Sequence, residues 1–107
     1  MLAWIYLSAA IASEVVGTVF LNYTDGFTKP APSVLVLATY AASLWLTALA
    51  LRELEISLAY AVWAGVGTAA VAVIGMAALG ESVNALKLAS IALVIGGVVG
   101  LNLSGAN

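Results

Sequence analysis

Four long apolar stretches dominate the sequence, and only short polar segments separate them. Their approximate bounds are residues 2–22, 33–51, 57–79 and 85–103. A helix of about 20 residues spans the hydrocarbon core of a bilayer, because each residue adds about 1.5 Å along the helix axis. The stretches therefore predict an all-α membrane protein with four transmembrane helices, which form a single domain over residues 1–107.

The composition excludes most soluble functions. Hydrophobic residues make up 64% of the 107 residues and charged residues only 7%, whereas a soluble domain of this size needs more charged surface. Three Lys or Arg residues cannot form the basic patch that nucleic acids require. The sequence contains no Cys and no His, which excludes thiolate metal sites and histidine-based acid–base chemistry. We expect no nucleic-acid partner, no metal or other cofactor, and no enzymatic activity.

Lys and Arg are almost evenly divided between the two predicted sides of the membrane. Arg52 falls on the side of the chain termini, and Lys29 and Lys87 fall on the other side. Because cytoplasmic loops normally carry an excess of Lys and Arg, this balance predicts insertion in both orientations. Chains of opposite orientation would then pair as an antiparallel, dual-topology homodimer. The alternative is a single topology set by weaker signals than these charges.

Glu14 is the only acidic or basic side chain well inside any of the four stretches. A charged side chain at the bilayer centre costs about 2.5–3.5 kcal/mol even on insertion scales, so such a residue usually has a function. Its neighbours on the same helical face include Ala10, Gly17 and Thr18, which are small or polar and are expected to leave space beside the carboxyl. The pattern predicts a site where Glu14 binds a proton or a cation. The alternative is a structural hydrogen bond from the carboxyl to a neighbouring helix.

Hydroxyl and aromatic side chains recur on one face of the second and third predicted helices. Tyr40 and Ser43 are three residues apart, as are Tyr60 and Trp63, so each pair lies on one helical face. Aromatic rings attract a cation through their negative faces, and a carboxylate neutralises its charge. Together with Glu14, these residues predict a site for an organic cation. For Tyr60 and Trp63 the alternative is an aromatic belt at the membrane surface.

Small residues mark the third and fourth predicted helices. Gly65 and Gly67 are separated by one residue, a pattern that fits either a hinge or close helix packing. The fourth helix carries two stripes of small residues: Ala85, Ala89, Ala92, Gly96 and Gly100 in one, and Ser90, Gly97 and Ser104 in the other. Such stripes let helix backbones approach closely. The fourth helix is therefore predicted to pack against a partner rather than to bind substrate, through either stripe.

Several motifs resemble those of the small multidrug resistance exporters. These are four-helix proteins of the bacterial inner membrane that work as antiparallel homodimers or as paired heterodimers. The motifs are IYLSAAIASEVVGT, DGFTKPAPS, YAASLWL, AYAVWAGVGTA and GLNL, and together they extend over nearly the whole chain. The resemblance implies proton-coupled antiport in which Glu14 binds either protons or the substrate cation.

The resemblance also implies roles for individual residues. The implied substrate and proton contacts are Glu14, Ala10, Gly17, Thr18, Tyr40, Ser43, Tyr60 and Trp63. It further implies a kink of the third helix at Gly65 and Gly67, and a dimer contact at Ser90 and Gly97. The sequence departs from the family pattern at Asn22, where a lysine is frequent, so less positive charge is expected at that membrane face.

The residues beside the glutamate separate two branches of the resembled family. EVVGT and Tyr40 resemble the branch that exports quaternary ammonium and polyaromatic cations, whereas guanidinium exporters look like EVVWA and lack this tyrosine. The resulting prediction is proton-coupled export of hydrophobic or quaternary ammonium cations. The alternatives are export of guanidinium or a small amine, a structural or proton-conducting membrane subunit, and one half of an obligate heterodimer.

Overall fold

The computed structural model describes residues 2–104, and within them the chain forms four α-helices. They are α1 (Leu2–Leu21), α2 (Pro30–Ala50), α3 (Ile56–Ala78) and α4 (Ala85–Leu103). Helices α1 and α2 form one compact unit, here called the first hairpin, and α3 and α4 form the second hairpin. The prediction of an all-α fold with four apolar helices is confirmed. The predicted single domain over residues 1–107 includes residue 1 and residues 105–107, which lie outside the described residues.

All four helices are long and apolar enough to cross a bilayer. Large apolar side chains remain exposed on them, such as Trp45 at 66% and Leu93 at 77%. Helix α4 contains no buried residue over Ala85–Leu103. Exposed apolar surface of this extent suits lipid or another helix rather than water, and helices satisfy their own backbone hydrogen bonds within lipid. The chain therefore has the architecture of a multi-pass membrane protein.

Helix α2 begins three residues before its predicted start, because its prolines lie in the first turn. The sequence predicted Ser33 as the approximate first residue, but the helix starts at Pro30 and includes Pro32. The first N–H groups of a helix have no carbonyl partner inside it, so proline loses no hydrogen bond there, and its fixed φ suits a helix. The prolines start this helix, and the polar loop before it is shorter than predicted.

The connection between α1 and α2 is a tight turn with three successive residues at positive φ. These are Asp25 (49°), Gly26 (67°) and Phe27 (66°), of which only glycine adopts this region without steric cost. Thr24, which is 1% exposed, holds the turn together. Its carbonyl accepts a hydrogen bond from the Thr28 N–H at 3.0 Å, and its hydroxyl oxygen accepts one from the Phe27 N–H at 3.2 Å. These bonds define how α2 returns along α1.

The connection between α3 and α4 combines a glycine turn with a helix cap. Gly80 has a φ of 73° where α3 ends. The Asn84 side chain accepts a hydrogen bond from the Lys87 N–H at 2.8 Å and so caps α4. The Lys87 ammonium lies 3.5 Å from the Glu81 carboxylate and donates to the Ser82 carbonyl at 3.2 Å. Hydrogen bonds and an ion pair within this short loop therefore provide partners for several of its polar groups.

Candidate functional site

Glu14 lies near the middle of α1, where its carboxyl takes part in a hydrogen-bond chain within the first hairpin. The Thr18 hydroxyl, one turn further along α1, donates to Glu14 Oε1 at 2.9 Å. The same hydroxyl oxygen lies 2.7 Å from the phenol oxygen of Tyr40 on α2. All three residues are half-buried. The structure thus brings Tyr40 of α2 to Glu14 and Thr18, which the sequence already placed on one face of α1.

Two further hydrogen bonds join α1 to α2 close to Glu14. The Ser43 hydroxyl donates to the Ala10 carbonyl at 2.8 Å, and the Ser13 hydroxyl donates to the Thr39 carbonyl at 2.7 Å. Ser43 is 4% exposed and Ala10 is fully buried, so both residues belong to the contact between the helices. Their contact with substrate stays a prediction.

Sequence reasoning missed the role of Ser13. Successive helical residues point about 100° apart, so Ser13 does not share the face of Glu14 on which the analysis of α1 concentrated. The available signal was a hydroxyl directly beside the acidic residue in an apolar stretch. Within a membrane helix such a hydroxyl commonly bonds to a neighbouring helix.

Helix α2 occupies the space that was expected beside Gly17. A Cβ atom at this position would lie 2.7 Å and 2.8 Å from two ring atoms of Tyr40, and it would also collide with Thr39 Oγ1. Gly17 therefore permits the close approach of the two helices. The small-residue face of α1 serves helix packing at this level of the first hairpin.

Tyr60 and Trp63 form a stacked pair on α3. Their ring centroids are 5.7 Å apart, and the ring planes differ by 17°. Tyr60 is 66% exposed and Trp63 is half-buried, so the pair presents an accessible aromatic surface. Such a surface can attract a cation. Its contact with substrate stays a prediction.

Gly65 packs against α4 in the second hairpin. A Cβ atom at Gly65 would collide with Val98 Cγ2 and would lie 3.3 Å from Val94 Cγ1. Helix α3 runs without interruption through Gly65 and Gly67, and both glycines are buried. At Gly65 these contacts favour the packing interpretation, and the hinge at the two glycines stays a prediction.

We expect Gly65→Ala to lower the free energy of unfolding by about 1–3 kcal/mol, the usual cost of overpacking, because the added methyl group collides with Val98. The double variant Gly65→Ala/Val98→Ala should be no less stable than Val98→Ala alone, since the smaller side chain leaves room. Thermal unfolding of the purified protein in detergent measures all three variants. An equal loss from Gly65→Ala in both backgrounds would contradict the contact.

Ser90 and Gly97, the predicted dimer contact, are both exposed on α4. The Ser90 hydroxyl donates to the Leu86 carbonyl of its own helix at 2.7 Å. A Cβ atom at Gly97 would meet no other atom of the described chain within 4 Å. This surface is therefore accessible to a partner helix, and the dimer contact stays a prediction.

Comparison with known proteins identifies the family. Residues 2–94 match the family model described as Small Multidrug Resistance protein. The chain belongs to this family. This small multidrug resistance chain is 44% identical to the guanidinium exporter of Escherichia coli (strain K12), over 96% of its own length and 98% of that relative. It is also 44% identical to the uncharacterized membrane protein YvaE of Bacillus subtilis (strain 168), over 94% of its length and 84% of that relative.

A further relative of this small multidrug resistance chain is longer than the chain itself. The nicotine metabolites export pump subunit NepB of Paenarthrobacter nicotinovorans is 47% identical over 95% of this chain. The match covers 61% of the length of NepB. The family predicted from the motifs is thus confirmed, and two of these relatives are named as exporters or export subunits.

Proposed function

We propose that this chain is an antiporter that exports an organic cation in exchange for protons, with Glu14 binding either one or the other. The observation that carries the proposal is the position of the Glu14 carboxyl. It lies inside an apolar helix long enough to span a membrane, bonded to Thr18, which in turn bonds to Tyr40. Family membership supports the same activity, because relatives are named as exporters.

The exchange follows from the cost of an unpaired charge in the membrane. A carboxylate that loses its cation there is stabilised by taking up a proton, and a cation that arrives must displace that proton. A site of this kind, open to one side of the membrane at a time, exchanges one ion for the other. The proton gradient would then drive the cation outward.

The proposed substrate is guanidinium or a related small cation. Relatives that match nearly the full length of the chain are named guanidinium exporter, at 44–45% identity. Quaternary ammonium and polyaromatic cations are the second candidate, which two observations favour. Gly17 and Tyr40, which resemble the residues of the quaternary ammonium branch, stand beside the glutamate. The stacked Tyr60 and Trp63 rings offer a surface for a cation that has no hydrogen-bond donors.

The proposed assembly is an antiparallel homodimer in the bacterial inner membrane. The near balance of Arg52 against Lys29 and Lys87 supports insertion in both orientations. The absence of buried residues over the length of α4 supports a partner at that helix, with Ser90 and Gly97 as contacts. Pairing with a related chain is the alternative, and NepB is itself named a subunit.

Proton release on substrate addition tests the proposed exchange. Guanidinium and tetraphenylphosphonium are added separately to the full chain in weakly buffered detergent solution, and the pH is recorded. We expect release by the parent protein and none by Glu14→Gln. Glu55→Gln, which removes an exposed carboxyl outside the helices, is the matched control and should behave as the parent does.

The two cations separate the substrate classes. Release by guanidinium alone would support the guanidinium class, and release by tetraphenylphosphonium alone would support the second candidate. Binding of one or both cations with proton release by neither would contradict the proposal. It would favour a structural or proton-conducting subunit in which Glu14 does not bind the substrate.

A further inference from the structure

The hydrogen-bond chain from Glu14 to Tyr40 has a direction, because each hydroxyl has only one proton. Thr18 Oγ1 has two partners, Glu14 Oε1 at 2.9 Å and the Tyr40 oxygen at 2.7 Å. A threonine hydroxyl donates one hydrogen bond and otherwise accepts. If Thr18 donates to one of these partners, it must accept from the other.

An ionised Glu14 sets this direction. A carboxylate only accepts, and a hydrogen bond to a charged oxygen is about twice as strong as one between neutral groups. Thr18 therefore donates to Glu14, and the Tyr40 hydroxyl donates to Thr18. In this state the phenol proton of Tyr40 is already used, and its oxygen offers only lone pairs to any further partner.

A proton on Glu14 Oε1 reverses the chain. Glu14 then donates to Thr18, and Thr18 donates to Tyr40. The Tyr40 hydroxyl keeps its proton but no longer donates it to Thr18, so it can donate to a further partner. The reversal needs rotation of two hydroxyl groups and no movement of the helices.

The Tyr40 ring is held in place for this role. Two of its ring atoms lie only 2.7 Å and 2.8 Å from the position that a Cβ atom at Gly17 would take. The ring thus packs on the backbone of α1, and its hydroxyl stays within reach of Thr18. Tyr40 is half-buried, so part of the residue remains accessible.

We infer that Thr18 makes the Tyr40 hydroxyl a specificity determinant, which accepts hydrogen bonds when Glu14 is ionised and donates one when Glu14 Oε1 is protonated. The inference rests on the proposed function, in that Glu14 must exchange a proton for a cation. An accepting oxygen favours cations that carry N–H donors, as guanidinium groups do. A cation without N–H groups gains nothing from it.

Two phenyl-bearing cations of similar size test this preference in the full chain in detergent. Phenylguanidinium carries N–H donors on its charged group, and trimethylphenylammonium has none. We measure both dissociation constants and divide the trimethylphenylammonium constant by the phenylguanidinium constant. General damage to the fold or to Glu14 affects both cations and cancels in this ratio. Tyr40→Phe should weaken phenylguanidinium binding about tenfold, within the range for a hydrogen bond to a charged group, and should leave trimethylphenylammonium within about twofold.

Variants of Thr18 separate orientation from simple packing. Thr18→Val keeps the shape of the side chain but removes the hydroxyl, so the ratio should fall at least about threefold, as part of the same hydrogen-bond contribution. Thr18→Ser keeps the hydroxyl and should restore the parent ratio. Equal weakening of both cations by Tyr40→Phe, or a parent ratio in Thr18→Val, would overturn the inference.

Failure of the inference is distinguishable from failure of the proposed function. Proton release by the parent protein is measured in the same titrations. If both cations bind without releasing protons, the proposed exchange fails and the inference fails with it. If protons are released and the ratio does not respond to Tyr40→Phe, only the inference is overturned.

Discussion

Replacing Glu14 with Gln should reduce proton-driven export of guanidinium from proteoliposomes to the level of protein-free vesicles. Glutamine matches the size of glutamate and can still accept the hydrogen bond from Thr18, but it neither carries a proton nor neutralises a cation. Removing one partner of a buried charge pair costs about 3–5 kcal/mol, which corresponds to a loss of roughly a hundredfold or more. Guanidinium flux under an imposed pH gradient measures the effect.

The control for this experiment is another carboxyl of the same chain. Glu53 is exposed and lies between α2 and α3, so Glu53→Gln makes the same chemical change away from Glu14. It should transport as the parent does. Gradient-driven export by Glu14→Gln at the parent rate would remove Glu14 from the transport mechanism.

Gly17→Ala should cause a large loss of stability in the first hairpin. The new Cβ atom would collide with Thr39 Oγ1 and the Tyr40 ring. Neither neighbour moves freely, since the one Thr39 hydroxyl proton is shared between the carbonyls of Leu35 and Val36 and the Tyr40 hydroxyl is bonded to Thr18. Overpacking usually costs about 1–3 kcal/mol, and more where neighbours are fixed, so we expect about 3 kcal/mol. Thermal unfolding in detergent measures it.

A matched glycine shows whether the collision causes this loss. A Cβ atom at Gly100 of α4 would meet no other atom of the described chain within 4 Å. Alanine is favoured over glycine in a helix by about 1 kcal/mol, so Gly100→Ala, which adds no collision within the chain, should lose less stability than Gly17→Ala. Similar unfolding temperatures for Gly17→Ala and Gly100→Ala would contradict the packing described for the first hairpin.

The helices could be predicted from the sequence because their length and apolar composition are properties of single segments. The start of α2 could not, since proline both prevents a helix from continuing and favours its first turn. Pro30 and Pro32 suggested a loop, although they lie inside the helix. Whether a proline ends a helix or begins one depends on whether its position falls in the first turn, where N–H groups have no partner within the helix. The local sequence does not show where that turn falls.

The candidate site was predictable in part. Glu14 and Thr18 are four residues apart on one helix, so their contact follows from helical geometry alone. The bond from Thr18 to Tyr40 depends on how α2 lies against α1. The same register decides that Gly17 meets α2 instead of leaving space for a ligand. Position and helical spacing identified these residues, and the tertiary structure specified their partners on the other helix.

The branch of the family was the least predictable feature. Gly17 and Tyr40 favoured quaternary ammonium export, yet relatives named guanidinium exporter cover nearly the whole chain at 44–45% identity. Specificity depends on the chemistry of a site, whereas overall identity mainly reports the shared fold. The two cations of the proton-release experiment address this difference directly.

The hydrogen bonds between α1 and α2 restrict how the proposed exchange could expose Glu14 first to one side of the membrane and then to the other. Ser43 is bonded to Ala10 on one side of Glu14, and Tyr40 is bonded to Thr18 on the other. Separating the two helices would break a buried hydrogen bond at one level and a half-buried one at the other, which lipid cannot replace. We therefore expect the first hairpin to move as a rigid body during transport, so that alternating access depends on motion elsewhere in the assembly.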